Sequence, residues 1–378
     1  MDILITNIGQ IVTPIGRALD ETARSYALEV SRDTHLLVRD GRIVKGIPQR
    51  NSKQVETIDA HGGVIIPGLI DPFWVLPHMP GWLIGKADPM LCGLDLAEWT
   101  RRLLQRALRS GVTSVELKCA HDSGLEGLAV VGYLTQQQQP RIIGSLMASL
   151  PEEGKQRNQL VSSLIGEVIP EVRQRRMATF CDVGWGSHSG SLTEANAVLR
   201  AALGAGLRPK LHVESTTPVE DVAALAISLG AAAVGCTSPL AIHLATSLAN
   251  SHVLPVYLPG IREENEPKRI NVQPLLSQGL PIALGSGTGW DGCQSRSMWS
   301  VLASAIDRMG MTLAEAITAC SLNNARALEI AHETGSIEEG KRADLVLLDL
   351  HDYREIEAAP DNPPVSLVMV NGAIAHLS

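Results

Sequence analysis

The chain has few aromatic residues and no closely spaced pair of cysteines. Phe, Trp and Tyr make up 3% of its 378 residues, and only two are Phe, so the core must be built mainly from aliphatic side chains. No Cys-x-x-Cys pair occurs among its six cysteines, which are Cys92, Cys119, Cys181, Cys236, Cys293 and Cys320. This pattern indicates reduced thiols in a cytoplasmic protein and argues against a disulfide framework.

Membrane segments and an excess of basic residues are also absent. No apolar run reaches the ~20 residues that a membrane helix needs. The first residues, Met1–Ile5, do not show the basic and then apolar pattern of a secretory leader. The net charge is −8, which argues against nucleic acid or an anionic membrane as the main partner. We therefore expect a cytoplasmic protein that binds a small-molecule ligand.

Short apolar runs alternate with amphipathic stretches from residue 64 onward. The stretches include Asp95–Arg109, Leu192–Leu203, Val219–Leu229 and Pro239–Ala249, with apolar residues at helical spacing. The eight runs between them are Val64–Ile70, Thr113–Lys118, Arg141–Ala148, Phe180–Trp185, Arg208–Glu214, Ala232–Cys236, Leu254–Leu258 and Pro281–Ser286. Eight such units predict an α/β fold, a (β/α)8 TIM-type barrel. Its chemistry should lie at the C-terminal ends of the strands.

Both ends of the chain are rich in strand-like runs. Thr34–Arg39 and Arg42–Val44 flank Asp40-Gly41, which is a favoured hairpin turn. Near the other end, Ala343–Asp349 and Leu367–Val370 also read as strands. We predict one small, discontinuous β-sandwich lobe formed by residues 1–63 and 333–378, with the barrel spanning residues 64–332.

Several segments resemble the amidohydrolase superfamily. Pro67-Gly68-Leu69-Ile70-Asp71 is similar to the segment that leads into that superfamily's first barrel strand, and Gly335–Leu345 (GSIEEGKRADL) is similar to its exit from the barrel. Within the superfamily, Gly111–Lys118 (GVTSVELK), Ala178–Val183 (ATFCDV) and Lys210–Glu214 (KLHVE) look most like imidazolonepropionase. That enzyme is a hydrolase of a cyclic C–N bond, which opens the imidazolone ring in histidine breakdown.

The resemblance implies a zinc or iron ion at the barrel mouth, where the metal activates water for attack. The family's ligands are a His-x-His pair after strand one, a His after each of strands five and six, and an Asp after strand eight. The corresponding positions here hold Phe73 and Val75, then His212, Cys236 and Gly287. Because only His212 keeps the family's ligand, we predict no cofactor and no metal-dependent ring hydrolysis. The family also implies a homodimer.

The residues left at the strand ends supply the candidate site. His212, Lys118 and Asp291 are the candidate catalytic groups, as base, amine or hydrogen-bond acceptor. Alternation places Lys118 and Glu116 on one strand face, so a buried ion pair is an alternative role for Lys118. Candidate substrate-binding residues are His121, His188, Glu214, Trp290 and Lys86. Zinc held by His212, Cys236 and Cys293 is the alternative to a metal-free site.

Three functions remain open, and the sequence does not decide whether the chain is an enzyme. The first is a metal-independent enzyme or binder of a small cyclic nitrogenous acid. The second is a non-catalytic structural or regulatory homologue that works with an active paralogue. The third is a hydrolase of cyclic C–N bonds with a rebuilt metal site. A deep polar pocket would favour the first, and a mouth filled by Phe73, Trp74 and their neighbours would favour the second.

Overall fold

The computed structural model describes residues 2–15, 26–44, 46, 55–76, 89–120, 124–136, 140–150, 155–185, 192–213, 219–237, 240–261, 270–290, 293, 297–358 and 364–378. In chain order the strands are β1 (Asp2–Pro14), β2 (Leu28–Arg39), β3 (Arg42–Val44), β4 (Val55–Asp59), β5 (Val64–Pro67), β6 (Leu69–Val75), β7 (Val112–Ala120), β8 (Arg141–Ser149), β9 (Phe180–Trp185), β10 (Arg208–Val213), β11 (Ala233–Cys236), β12 (Leu254–Tyr257), β13 (Ala283–Leu284), β14 (Leu345–Leu348), β15 (Val365–Val370) and β16 (Ala373–Leu377).

The helices are α1 (Pro89–Arg109), α2 (Gly124–Thr135), α3 (Lys155–Ser163), α4 (Ile169–Arg175), α5 (Leu192–Gly204), α6 (Val219–Leu229), α7 (Leu244–Ser251), α8 (Gln273–Ser277), α9 (Met298–Met309), α10 (Leu313–Thr318) and α11 (Asn324–Ala327). A π-helical segment joins α3 to α4 and another joins α10 to α11, and a short 3-10 helix spans Tyr353–Ala358. None of the helices in the described ranges is long and apolar enough to cross a membrane.

The terminal strands form one sheet from both ends of the chain, in the order β16-β15-β14-β5-β1-β2-β3, with β4 also paired to β1. Asp40-Gly41 and Asn371-Gly372 turn with positive φ at both residues, as tight hairpin turns require. The β3 end of the sheet also contacts the middle of the sheet. The Ile43 amide of β3 donates a hydrogen bond to the carbonyl of Lys341, which lies just before β14. The predicted lobe is confirmed, and its strands form one continuous sheet around a shared aliphatic core.

The predicted first barrel strand, Val64–Ile70, is wrong in its extent. It is two strands in two sheets: β5 pairs with β1 and β14 in the terminal lobe, and β6 begins the barrel at Leu69. The change of sheet occurs at Gly68, where any Cβ would collide with the Thr113 side chain of β7. Apolar periodicity continues through this glycine, so it cannot reveal that the chain passes from one sheet to the next.

The barrel strands run in sequence from β6 to β13, all parallel, as predicted. The helices pack around them, and the layer between is largely aliphatic. The seam between β13 and β6 is closed by Gly287 N to Phe73 O at 3.0 Å and Val75 N to Thr288 O at 2.8 Å. These contacts confirm the (β/α)8 architecture.

Two buried side chains complete the seam because β13 has only two residues. The Asn324 amide donates to the carbonyls of Ile70 (2.6 Å) and Leu284 (2.7 Å) and accepts from the Leu284 amide (2.9 Å). The Asp71 carboxylate accepts from the amides of Phe73 (3.2 Å) and Ser286 (3.1 Å). Side chains thus satisfy backbone groups that a longer eighth strand would pair.

Candidate functional site

The register of the parallel strands determines which side chains face the interior of the barrel. Lys210 of β10 stands beside Asp182 of β9, and His212 stands beside Gly184 on one side and Gly235 on the other. Residues paired in register point to the same face of a sheet, and alternate residues of one strand share a face. Lys210, His212 and Asp182 therefore all project into the barrel.

A chain of ion pairs crosses the barrel interior. Lys210 Nζ donates to Glu116 Oε2 at 2.6 Å, and Lys118 Nζ donates to Glu116 Oε1 at 2.8 Å and to Asp182 Oδ2 at 2.6 Å. Asp182 Oδ1 then meets His212 Nδ1 at 2.9 Å. All five residues are at most 2% exposed. The predicted common face of Glu116 and Lys118 is confirmed, and Lys118 takes part in the ion pair that was its alternative role.

The balance of charges governs protonation in this interior. Burial lowers the pKa of Lys118, but the carboxylates of Asp182 and Glu116 raise it more, so the net shift is upward. Burial raises the pKa of Asp182, but Lys118 and His212 more than reverse this effect and leave it lowered. For Lys210, burial dominates and the pKa falls to about 8. With both lysines charged, the two cations balance the two carboxylates of Glu116 and Asp182.

His212 has one satisfied and one unsatisfied ring nitrogen. An ionised Asp182 can only accept, so the Nδ1 that faces it carries the hydrogen, and in the neutral imidazole this leaves the lone pair on Nε2. That Nε2 is buried and has no hydrogen-bond partner among the described residues. Asp182 thus fixes the orientation of the imidazole, and Nε2 is the ring nitrogen left for a further partner. Sequence reasoning missed Asp182 and Lys210, although charged residues inside apolar strand runs are themselves a signal of an inward-facing polar layer.

Three rings pack together above the ion pairs. The ring centroids of Phe73 and His212 are 5.8 Å apart, those of Phe73 and Trp290 are 5.4 Å apart, and those of His212 and Trp290 are 4.9 Å apart. Both contacts of His212 are edge-to-face, a favourable geometry for aromatic pairs. Lys118 Nζ lies 4.5 Å from the centre of the Phe73 ring, within reach of a cation–π contact.

Glycines on neighbouring strands leave the volume that these rings fill. A Cβ added at Gly184 would lie 2.5 Å from His212 Nε2, and one at Gly235 would lie 2.9 Å from His212 Cβ and 3.1 Å from Phe73 Cε2. A Cβ added at Gly285 would lie 2.8 Å from Phe73 Cβ. The described part of the mouth is therefore packed like a core, with large residues facing small ones.

The family's metal does not fit the described side chains. Phe73 and Val75 are apolar and buried, and Gly287 has no side chain. A Cβ at Gly287 would lie 2.8 Å from Ile261 Cδ1, so the position also lacks room for a carboxylate without a shift. Within the described ranges, no group of three His, Cys, Asp or Glu residues could hold a metal ion.

The alternative zinc site of His212, Cys236 and Cys293 is not assembled. Strand alternation makes Gly235 the residue beside His212, while Cys236 packs in the cluster between barrel and helices and its thiol donates to the Val234 carbonyl at 3.5 Å. Burial raises the pKa of the Cys236 thiol to about 12, which opposes formation of a thiolate ligand. Cys293 lies at the mouth, where its Sγ donates to the Ser286 carbonyl at 3.2 Å.

Of the predicted site residues, the structure brings together His212, Lys118 and Trp290. Lys118 reaches His212 through Asp182, and Trp290 packs directly on the imidazole. Trp74 instead belongs to the cluster between the barrel and the helices, so it does not contribute to filling the mouth. The remaining predicted residues lie outside the described ranges: Lys86, His121, His188, Glu214 and Asp291.

Comparisons with known proteins agree with this architecture. The imidazolonepropionase of Brevibacillus brevis is 28% identical over 353 residues, covering 85% of this chain and 83% of that protein. The imidazolonepropionase of Thermoanaerobacter pseudethanolicus is 27% identical and covers 100% of this chain and 95% of its own length.

Solved structures share the whole fold at low sequence identity. E. coli guanine deaminase has a TM-score of 0.74 at 14% identity, covering 100% of this chain and 99% of that one. Ochratoxinase of A. niger has a TM-score of 0.72 at 18% identity, with coverage of 100% and 96%. The sequence profile described as "Amidohydrolase family" matches residues 167–375. The chain therefore belongs to the amidohydrolase family, and its sequence is similar to imidazolonepropionases.

Proposed function

We propose that this chain binds a small cyclic nitrogenous acid at the barrel mouth without the help of a metal ion. The observation that carries the proposal is the buried Nε2 of His212, which has no hydrogen-bond partner among the described residues. A buried polar atom of this kind costs free energy unless a water or ligand completes its hydrogen bond. A ring N–H would supply the missing donor.

The surroundings of His212 suit a planar ligand. Asp182 holds the imidazole in one tautomer, and Trp290 is only partly buried, so it is the outermost ring of the cluster. An incoming planar ring that displaces Trp290 outward would meet Nε2 and could stack on the indole. If the chain is an enzyme, the same nitrogen would accept a proton from the ligand, which is the step that an isomerisation, cyclisation or lyase reaction needs.

Ligand-induced stabilisation tests this proposal. Hydantoins, imidazolones and related ring acids would be screened by the shift in melting temperature of the chain. We expect one ring class to stabilise the chain and His212→Asn to abolish the shift. His252→Asn is the matched control, because His252 lies elsewhere, at a helix end with a φ of +62°, which Asn tolerates. Equal ligand shifts in both variants and the parent would contradict a role for His212.

A second candidate is a non-catalytic homologue that works as a structural or regulatory partner of an active paralogue. The packing of Phe73 against His212 and Trp290, with glycines on the facing strands, favours this candidate. A mouth packed in this way stabilises the barrel instead of leaving a cavity. Absence of stabilisation by every ring class, together with a loss of stability in Phe73→Ala, would favour this candidate over the first.

A further inference from the structure

A cleft lies at the end of the barrel opposite the mouth. Its volume is about 1150 Å³, and it is formed where four neighbouring strands begin. Arg208 and Leu254 are the first residues of β10 and β12, and Ala232 and Pro281 lie just before β11 and β13. Ligand sites usually have volumes of roughly 300 to 1,000 Å³, so the cleft is large enough for a small molecule.

The floor and one wall of the cleft differ in polarity. The floor is apolar, and Ala232, Val253 and Leu254 are all buried there. The wall is formed by the π-helical segment between α10 and α11, where Asn323 lines the cleft, and by Arg326 of α11. Such π-helical turns are rare and often lie at functional sites. The cleft therefore places an apolar surface beside a cationic side chain.

Arg326 is only partly exposed, and it is held in place by a buried neighbour. Its Nη1 donates to Asn323 Oδ1 at 3.0 Å, and Asn323 Nδ2 donates to the carbonyl of Ile282 at 2.8 Å. Burial lowers the pKa of Arg326, and the electrostatic attraction of the nearby Tyr26 and Glu338 is too weak to reverse this effect. The guanidinium therefore lies where one more anion would be favourable.

The remaining charges of the cleft are balanced. Arg208 Nη2 lies 2.7 Å from Glu329 Oε1, and Glu329 is the one carboxylate among the described residues that line the cleft. With His252 and His332 neutral, the lining has a charge of +1 (two arginines minus one glutamate). The whole chain has a charge of −8 and repels anions at long range. A bound anion must therefore also gain free energy from apolar contact.

We propose that this cleft binds a small aromatic carboxylate, with the ring on the apolar floor and the carboxylate paired with Arg326. The planar fork of a guanidinium matches the two oxygens of a carboxylate. Tyr26 also lines the cleft, and its hydroxyl donates to the carbonyl of Leu280 at 2.9 Å, which fixes the phenol ring as a surface for a planar ligand. Barrels of this type carry out their chemistry at the other end, so binding, and not catalysis, is the function of this cleft.

Calorimetric titration of the full-length chain with 2-naphthoate tests the site. We expect saturable binding of one molecule per chain, and the neutral isostere 2-naphthalenemethanol should bind about tenfold more weakly or worse. Inorganic phosphate should not compete, because it has no apolar body. Arg326→Gln should weaken naphthoate binding by about tenfold or more, since glutamine can still donate to Asn323 but has no charge. Ala249→Phe adds a ring to the wall of the cleft and should weaken binding with Arg326 in place.

The matched control is Arg173→Gln on α4, which removes an exposed arginine elsewhere and should leave the affinity within about twofold. His212→Asn should also leave it unchanged, so failure of this site and failure of the proposed function are separate results. Each variant is checked for an unchanged circular dichroism spectrum and melting temperature.

Three results would overturn the site. The first is no saturable binding of 2-naphthoate, and the second is equal affinity for 2-naphthoate and its alcohol. The third is competition by inorganic phosphate, or an affinity that neither Arg326→Gln nor Ala249→Phe changes. This inference does not depend on the proposed function of the barrel mouth.

Discussion

Lys118→Met should be strongly destabilising because Lys118 holds two buried carboxylates at once. Its Nζ donates to Glu116 at 2.8 Å and to Asp182 at 2.6 Å, and all three side chains are at most 1% exposed. Methionine keeps the approximate volume but leaves two carboxylates with one cation, Lys210, between them. Removing one partner of a buried ion pair costs about 3–5 kcal/mol, because the remaining charge is left uncompensated. We expect the free energy of unfolding to fall by that amount near pH 8.

The cost should also depend on pH. The cation holds the folded pKa of Asp182 below its ordinary value, so Asp182 contributes stability that is present above its unfolded pKa and lost as pH falls through the folded pKa. Without Lys118, burial raises the carboxylate pKa, so a carboxylate of the variant takes up a proton as pH falls. The difference between parent and variant should therefore shrink from pH 8 towards pH 5.

Urea unfolding, followed by tryptophan fluorescence and circular dichroism at several pH values, measures this difference. The matched control is Arg102→Met, which breaks an exposed ion pair to Glu98 at 2.8 Å and should cost at most about 1 kcal/mol. If Lys118→Met cost no more than Arg102→Met, or if its cost were the same at pH 5 and pH 8, the buried network described above would be wrong.

Three further predictions concern the seam and the mouth. Burial raises the folded pKa of Asp71 from 3.8 to about 6, so the stability that its protonated form contributes is present below pH 3.8 and lost as pH rises through about 6. Asp71→Asn should remove this loss, worth up to about 3 kcal/mol. Urea titrations of the parent and the variant at pH 4 and pH 8 measure it, and an equal pH dependence in both would refute the shift. Asn324→Leu leaves three seam groups unpaired and should cost more than about 3 kcal/mol, whereas a melting temperature close to that of the parent would refute the closure. Gly184→Ala places a Cβ 2.5 Å from His212 Nε2, so it should weaken any rise in melting temperature caused by a ring ligand. Gly204→Ala, whose Cβ would meet nothing within 4 Å, is the control. Equal ligand-induced shifts in the two variants would show that Nε2 does not bind the ligand.

Much of the fold can be predicted from the sequence because parallel barrel strands are continuous apolar runs. The predicted bounds of β9 and α6 match the structure, and most other bounds differ by one to three residues. The error at Gly68 has a tertiary cause, since only the close approach of Thr113 reveals the crossing between sheets. The side chains of Asp71 and Asn324 that close the seam were also missed, because the backbone groups that they join across the seam, at Ser286, Ile70 and Leu284, are far away in the chain.

The candidate site could be predicted only in part. Alternation within β7 places Glu116 and Lys118 on one face, and this required no tertiary information. The ion pairs to Asp182 and Lys210 depend on the register of three strand pairs, from β7 to β10, which a single sequence does not supply. At Cys236 the sequence was misleading. The resemblance to imidazolonepropionase puts Cys236 at a ligand position, but strand alternation turns Gly235 towards His212 and Cys236 towards the helices.

The metal content of the purified chain is the most direct test of the central claim that Phe73, Val75 and Gly287 leave the mouth without a ligand set. Zinc, iron and manganese would be measured by elemental analysis after expression with each metal in excess and dialysis against metal-free buffer. The account predicts far less than one ion per chain and no change in His212→Ala. One tightly held ion per chain that is lost in His212→Ala would contradict it.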